Sequence, residues 1–225
     1  MIIEHHPADE FLVRIAAGSL PGGESLLVST HLEGCERCRD RLHLLQAVGG
    51  VLLDEIEPAT MAPDAWVRTL ARIDERESRF GGAALPLRAK ASPSPPLALP
   101  GGMTWPSSLR DCKVSRWHWM GPGMHFARLS MPHDPAAALF LLRIAEGRHL
   151  PRHTHDGLEL TQVLHGSFDD GRAVFGAGDF DAADADVHHQ PVVTSGGECV
   201  CLAHVGGSLR FDGRIAATIG GWIGM

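Results

Sequence analysis

Two groups of metal-binding side-chain types, far apart in a chain of 225 residues, carry most of the chemistry this sequence could perform. The first is His31-x3-Cys35-x2-Cys38. A CxxC turn points both sulfurs the same way, and a histidine one helical turn earlier can close a third corner of a tetrahedron. The fourth ligand must come from elsewhere in the chain, and His5 and His6 are the candidates. Thiolates and imidazoles with no open position favour a structural Zn2+ ion. A redox dithiol would call for a βαβ pattern around the CxxC, and the surrounding sequence is helical instead.

The second group is Gly147-x5-His153-x-His155-x3-Glu159-x6-Gly166. Side chains alternate along an extended segment, so His153 and His155 share one face. Glu159 can return to the same ion from the next strand, after an Asp156-Gly157 turn. A fourth ligand is expected from a distant strand, and His188 or His189, just before Gln190-Pro191, would supply it. Three imidazoles and a carboxylate suit Zn2+ or another divalent metal, so residue types alone do not choose the ion.

The elements that position these residues differ along the chain. Phe11, Leu12, Ile15 and Ala16 recur at helical spacing, and Pro21-Gly22-Gly23 breaks the pattern. Leu26, Leu27 and Thr30 lead into His31. Beyond the Cys35–Cys38 turn, Leu42, Leu44, Leu45, Val48, Leu52 and Leu53 form a long apolar stripe. Pro63 fits the first turn of a fourth helix with Trp66, Val67, Leu70 and Ile73. Four short helices make a thin core, which leaves apolar surface for a partner.

Gly, Ala and Pro crowd residues 80–102, the composition of an extended linker. After it come short apolar runs such as 137–144, 158–164 and 199–203, punctuated by Gly, Pro and Asp, as in an antiparallel β-sandwich or barrel. The expected fold is therefore α + β in two domains. A small zinc-bound helical bundle (1–85) and a Pro/Gly-rich linker (86–104) precede an antiparallel β-barrel (105–225).

No run reaches the roughly 18 uncharged apolar residues of a membrane span, and the N-terminus lacks a basic region followed by an apolar one, so a cytoplasmic protein is expected. Five cysteines in CxxC and CxC spacings favour metal or thiol chemistry over a disulfide framework. Residues 1–80 carry 14 acidic and 8 basic side chains. Such a surface repels phosphate, which argues against direct nucleic-acid binding and for a basic protein partner.

The glycine-flanked His-x-His-x3-Glu motif is the first signature of the cupin superfamily; the second is degraded, with Ala177 before Gly178 in Gly171-x5-Ala177-Gly178. A helical His-x3-Cys-x2-Cys region joined to a cupin resembles the ChrR-like anti-sigma factors over essentially the whole chain. The resemblance implies N-terminal zinc ligands His6, His31, Cys35 and Cys38, and cupin ligands His153, His155, Glu159 and His189. It also matches a late Cys-x-Cys pair, Cys199 and Cys201, for redox sensing. It further implies that the N-terminal helices, with Leu42, Leu45, Val48 and Leu52, hold an extracytoplasmic-function sigma factor one-to-one. Release would follow singlet oxygen or organic peroxide through the cupin. The alternative is a metal-dependent cupin enzyme, dioxygenase-like, with an N-terminal zinc interaction domain. No general base or substrate-binding cluster stands out for it; Arg143, Arg148 and Arg152 are merely near the motif in sequence.

Overall fold

The computed structural model describes residues 2–79, 97–101, 103–194 and 196–211. The expected boundary at 85 and most of the expected linker, 86–104, lie outside the described residues.

The N-terminal part is helical. Helix α1 (Asp9–Ala16) carries Asp9 and Glu10 in its first turn and Arg14 in its last, charges that complement the helix dipole, and it buries Phe11 and Leu12. Helix α2 (Gly22–Gly34) is capped by Pro21, so the glycines expected to break the chain sit inside its first turn. It buries Gly23, Leu26, Leu27, Val28, Thr30 and His31. Apolar residues on several sides of one helix mean cover on several sides. Here α1, α3, the 107–109 turn and strands of the β part all pack on it.

Helix α3 (Glu36–Asp54) starts one residue later, with Cys35 as N-cap, and buries only Cys38. The expected Cys35–Cys38 turn is thus the first turn of α3. Helix α4 (Ala65–Arg79) leaves Trp66, Val67, Leu70 and Ile73 exposed.

The remainder is a cupin-like antiparallel β fold. The main sheet runs β1 (Lys113–Val114), β3 (Met124–Ser130), β4 (Leu139–Ile144), β11 (Cys199–Val205), β6 (Glu159–His165), β9 (Phe180–Ala183), with β2 (His118–Gly121) paired to β3. A three-stranded sheet joins β10 (Val192–Val193), β7 (Ser167–Asp169) and β8 (Val174–Gly176), and β12 (Leu209–Phe211) pairs with β5 (His153–His155). Gly166, between β6 and β7, has φ 72°, and a Cβ there would stand 2.3 Å from the Glu198 carbonyl oxygen; only glycine fits.

Two apolar clusters divide the sheet's faces. Val163, Phe168, Phe175, Cys199 and Cys201 pack on the inner side. Leu160, Phe180 and Leu202 pack on the other side against Phe11, Leu12, Leu26, Leu27 and Val28 of α1 and α2. Residues of the expected helical and β parts therefore share one core. Further contacts fix α2. The Glu33 carboxylate accepts hydrogen bonds from Ser107 N (2.9 Å) and Ser108 N (2.5 Å). A Cβ on Gly23 would stand 2.6 Å from the His204 ring.

Candidate functional site

The N-terminal group assembles where three segments meet. His31 comes from the last turn of α2, Cys35 from the α2–α3 junction, Cys38 from the first turn of α3 and His6 from the segment before α1. Their ligand atoms all lie within 4.8 Å of one another. His6 Nδ1 is 3.3 Å from Cys35 Sγ and 3.5 Å from Cys38 Sγ. Such separations match the edges of a tetrahedron with metal bonds of about 2.0 Å to nitrogen and 2.3 Å to sulfur.

His31 tests the fit. Its Nδ1–H donates to Gln162 Oε1 (3.2 Å) and to the Gly178 carbonyl (3.1 Å), which leaves Nε2 buried without a hydrogen-bond partner. Buried nitrogens are rarely left bare, and an ion is a natural partner for this one. Burial, reinforced by neighbouring His6, pulls the His31 pKa down to about 4, so the imidazole is a neutral ligand at physiological pH. Burial and the adjoining Cys35 push the Cys38 thiol up to about 12. An ion binding there must therefore displace protons.

His5 does not join the group. Its backbone N–H and Nδ1 turn to Asp179, at 3.0 and 3.3 Å, and it is His6 that stands beside Cys35 and Cys38.

The second group lies in the β fold. His153 and His155 frame β5, Glu159 opens β6, and His189 bridges to His153 in an antiparallel pair. Glu159 Oε2 stands 3.0 Å from His155 Nε2, 3.3 Å from His189 Nε2 and 3.5 Å from His153 Nε2. His189 Nε2 is 3.1 Å from His153 Nε2. Ligands at about 2.1 Å from one ion would be spaced by about 3.0 Å in an octahedron and 3.4 Å in a tetrahedron, so all four donor atoms fit a divalent metal. His153 Nδ1–H donates to the Pro151 carbonyl at 2.9 Å, which aims its Nε2 at the shared centre. His188 is exposed, whereas His189 is buried.

Electrostatics agree with a cation at this place. Burial alone would raise the Glu159 pKa, but His153, His155 and His189 outweigh it and hold the carboxyl well below its ordinary value. Burial alone would lower His189; Asp170 and Glu159 instead drive it up to about 9. Asp170 Oδ2 lies 3.6 Å from His189 Nδ1, and the Arg172 guanidinium bridges Asp170 and Asp181. Asp170, Arg172 and Gln162 escape a reading of motifs, because each acts through polar contacts that no recognised spacing marks.

Cys199 and Cys201 are buried, with sulfurs 3.5 Å apart, and sit in the inner apolar cluster. Together with Glu159 and His189 they line a cavity of about 40 Å³. The cysteine pair thus reaches the second group. Of the helix residues named for a partner, Leu42 and Leu45 are half-buried, while Val48 and Leu52 are 51% and 59% exposed. Among the described residues no helix is long and apolar enough to cross a membrane.

Residues 107–208 match the ChrR cupin-like domain family. The chain is 38% identical over 212 residues to the anti-sigma-E factor ChrR of Cereibacter sphaeroides, covering 94% of each protein. It is also similar to a crystal structure of Rhodobacter sphaeroides SigE in complex with the anti-sigma ChrR. That match has a TM-score of 0.70 and 34% identity, and covers 91% of this chain and 100% of that one. On its helical His/Cys group, its cupin-like fold and these full-length likenesses, the chain belongs to the ChrR-like anti-sigma factor family.

Proposed function

We propose that this chain is an anti-sigma factor that holds an extracytoplasmic-function sigma factor one-to-one through its N-terminal helices. The observation that carries this is the uncovered apolar stripe on each of α3 and α4. Leu44, Val48, Val51, Leu52 and Ile56 on and just past α3, with Trp66 (71% exposed) and Val67 on α4, face solvent. Exposed apolar faces of this kind mark docking surfaces for a protein. The ChrR relative, solved with SigE, supplies the kind of partner. Acidic side chains in the first 80 residues would speed encounter with a basic partner.

In this reading His6, His31, Cys35 and Cys38 hold zinc, which cross-links the joint between α2 and α3. His153, His155, Glu159 and His189 hold a divalent metal in a closed cupin barrel, the sensor. Oxidation by singlet oxygen or an organic peroxide, at that group or at Cys199 and Cys201, releases the sigma factor. The partner-holding part spans 1–85, the joint 86–104 and the sensor 105–225, all in the cytoplasm. Regulation is favoured over turnover by the full-length likeness to an anti-sigma factor.

The test is co-expression of the full chain with a candidate sigma factor, followed by size-exclusion chromatography. Wild type should co-elute one-to-one. Val48→Asp with Leu52→Asp should weaken the complex at least tenfold, about 1.4 kcal/mol or more. Cys35→Ala should weaken it as well. A complex that ignores all three substitutions would overturn the reading.

A further inference from the structure

Strand β6 separates the two candidate metal groups. Because side chains alternate along a strand, its residues face two ways. Glu159 and Thr161 line the inner cavity, and Val163 joins the inner apolar cluster. Leu160 and Leu164 pack on the opposite side, in the core shared with α1 and α2. Gln162 falls on that same outer side and is only 2% exposed. It is held rigidly: its Nε2–H donates to the Val163 carbonyl at 3.1 Å, which presents Oε1 to His31 Nδ1. On its two flanks β6 is clamped by β11 and β9, with Gln162 opposite Leu202 and Phe180.

We infer that Gln162 is the positioning residue for His31, and that it makes β6 the shared wall through which the two metal groups sense each other. This rests on the proposal that both groups hold metal. By accepting the Nδ1 proton, Gln162 and the Gly178 carbonyl select the tautomer whose bare Nε2 faces His6, Cys35 and Cys38. Glu159 lies three residues back along the strand, about 10 Å away. A change at Glu159 that shifts or twists β6 moves the Gln162 acceptor and its neighbour Leu160 against α2, and so alters how His31 Nδ1 is held.

The experiment uses the full chain with Cys199→Ser and Cys201→Ser, loaded with cobalt(II), so that the thiolate charge-transfer band, lost on Cys35→Ala, reports the Cys35–Cys38 group. Chelator competition gives the affinity. Gln162→Leu should weaken N-terminal binding about 10- to 100-fold, and Gln162→Glu, which keeps an acceptor, should restore it. Glu159→Ala should weaken N-terminal binding several-fold, within the roughly 5- to 150-fold range of coupled sites. That cross-effect should vanish in the Gln162→Leu background. Should Gln162→Leu fail to fold, histidine nitrogen NMR of the zinc-loaded wild type replaces it, and His31 must carry its proton on Nδ1. An Nε2–H tautomer there overturns the inference. So does a Gln162→Leu affinity equal to that of the parent double-serine chain, or a Glu159→Ala chain with unchanged N-terminal affinity. A parent chain without any thiolate band removes the metal reading itself, and the inference with it.

Discussion

At the scale of single residues, the polar contacts that hold the N-terminal group come from far along the chain. Asp179 accepts hydrogen bonds from Glu4 N at 2.7 Å and His5 N at 3.0 Å through Oδ1, and from Gly176 N at 2.8 Å through Oδ2. It therefore anchors the segment that delivers His6. Burial alone would raise its pKa, but the N–H donors of His5, Gly176 and Glu4 outweigh burial and keep the carboxyl below its ordinary value. A lowered pKa contributes stability that is fully present above the ordinary carboxylate range. It is lost as pH falls through the lowered value. Asp179→Asn should cost about 1–3 kcal/mol at neutral pH and flatten the acid limb of stability. Urea titrations across the acid range read both, and a variant as acid-sensitive as wild type would refute the role. Nothing near Asp179 in sequence announces it, since its partners at Glu4 and His5 stand about 175 positions away.

At the scale of elements, α2 carries the molecule's internal connection. Leu27 is fully buried in the core it shares with Leu160 and Leu202. Leu27→Ala should cost about 2–5 kcal/mol, read from denaturant midpoints, because it opens a cavity between helix and sheet. A loss under 1 kcal/mol would mean that the helix rides loosely on the strands. The character of α1 is plain from the spacing of Phe11, Leu12 and Ile15. That of α2 is not, since Leu26-Leu27-Val28 is a run without a stripe. Only the sheet behind it explains why such a helix needs cover on several sides. The β5–β6 group was legible for the opposite reason: His153, His155 and Glu159 come from strands successive in the chain, so local alternation and a short turn suffice. That His189, not His188, stands beside them is visible only in the bridge to His153.

At the scale of the whole molecule, both metal groups are loaded with protons when no ion is bound. Cys38 sits near pKa 12 and His189 near 9, for the burial and charge reasons given above. Metal uptake should therefore release protons, and apparent affinity should rise with pH through neutrality. Calorimetric titrations of zinc in buffers of different ionisation enthalpy measure this, and heats independent of the buffer would contradict it. The sequence motifs foretold two groups of residues that could hold metal but not their adjacency. The helices looked like a separate unit because the residues that bind them to the strands, such as Gly23, Gln162 and His204, are each unremarkable where they stand.

The uncovered apolar stripes of α3 and α4 have a consequence for the lifetime of this chain in a cell. A copy without a partner carries Leu52, Ile56, Trp66 and Val67 into a crowded solution, where surfaces of this kind are caught by chaperones and proteases or stick to one another. Unpartnered copies should thus be cleared faster than engaged ones. The abundance of the chain would then follow that of whatever covers these residues, without any separate control over its synthesis.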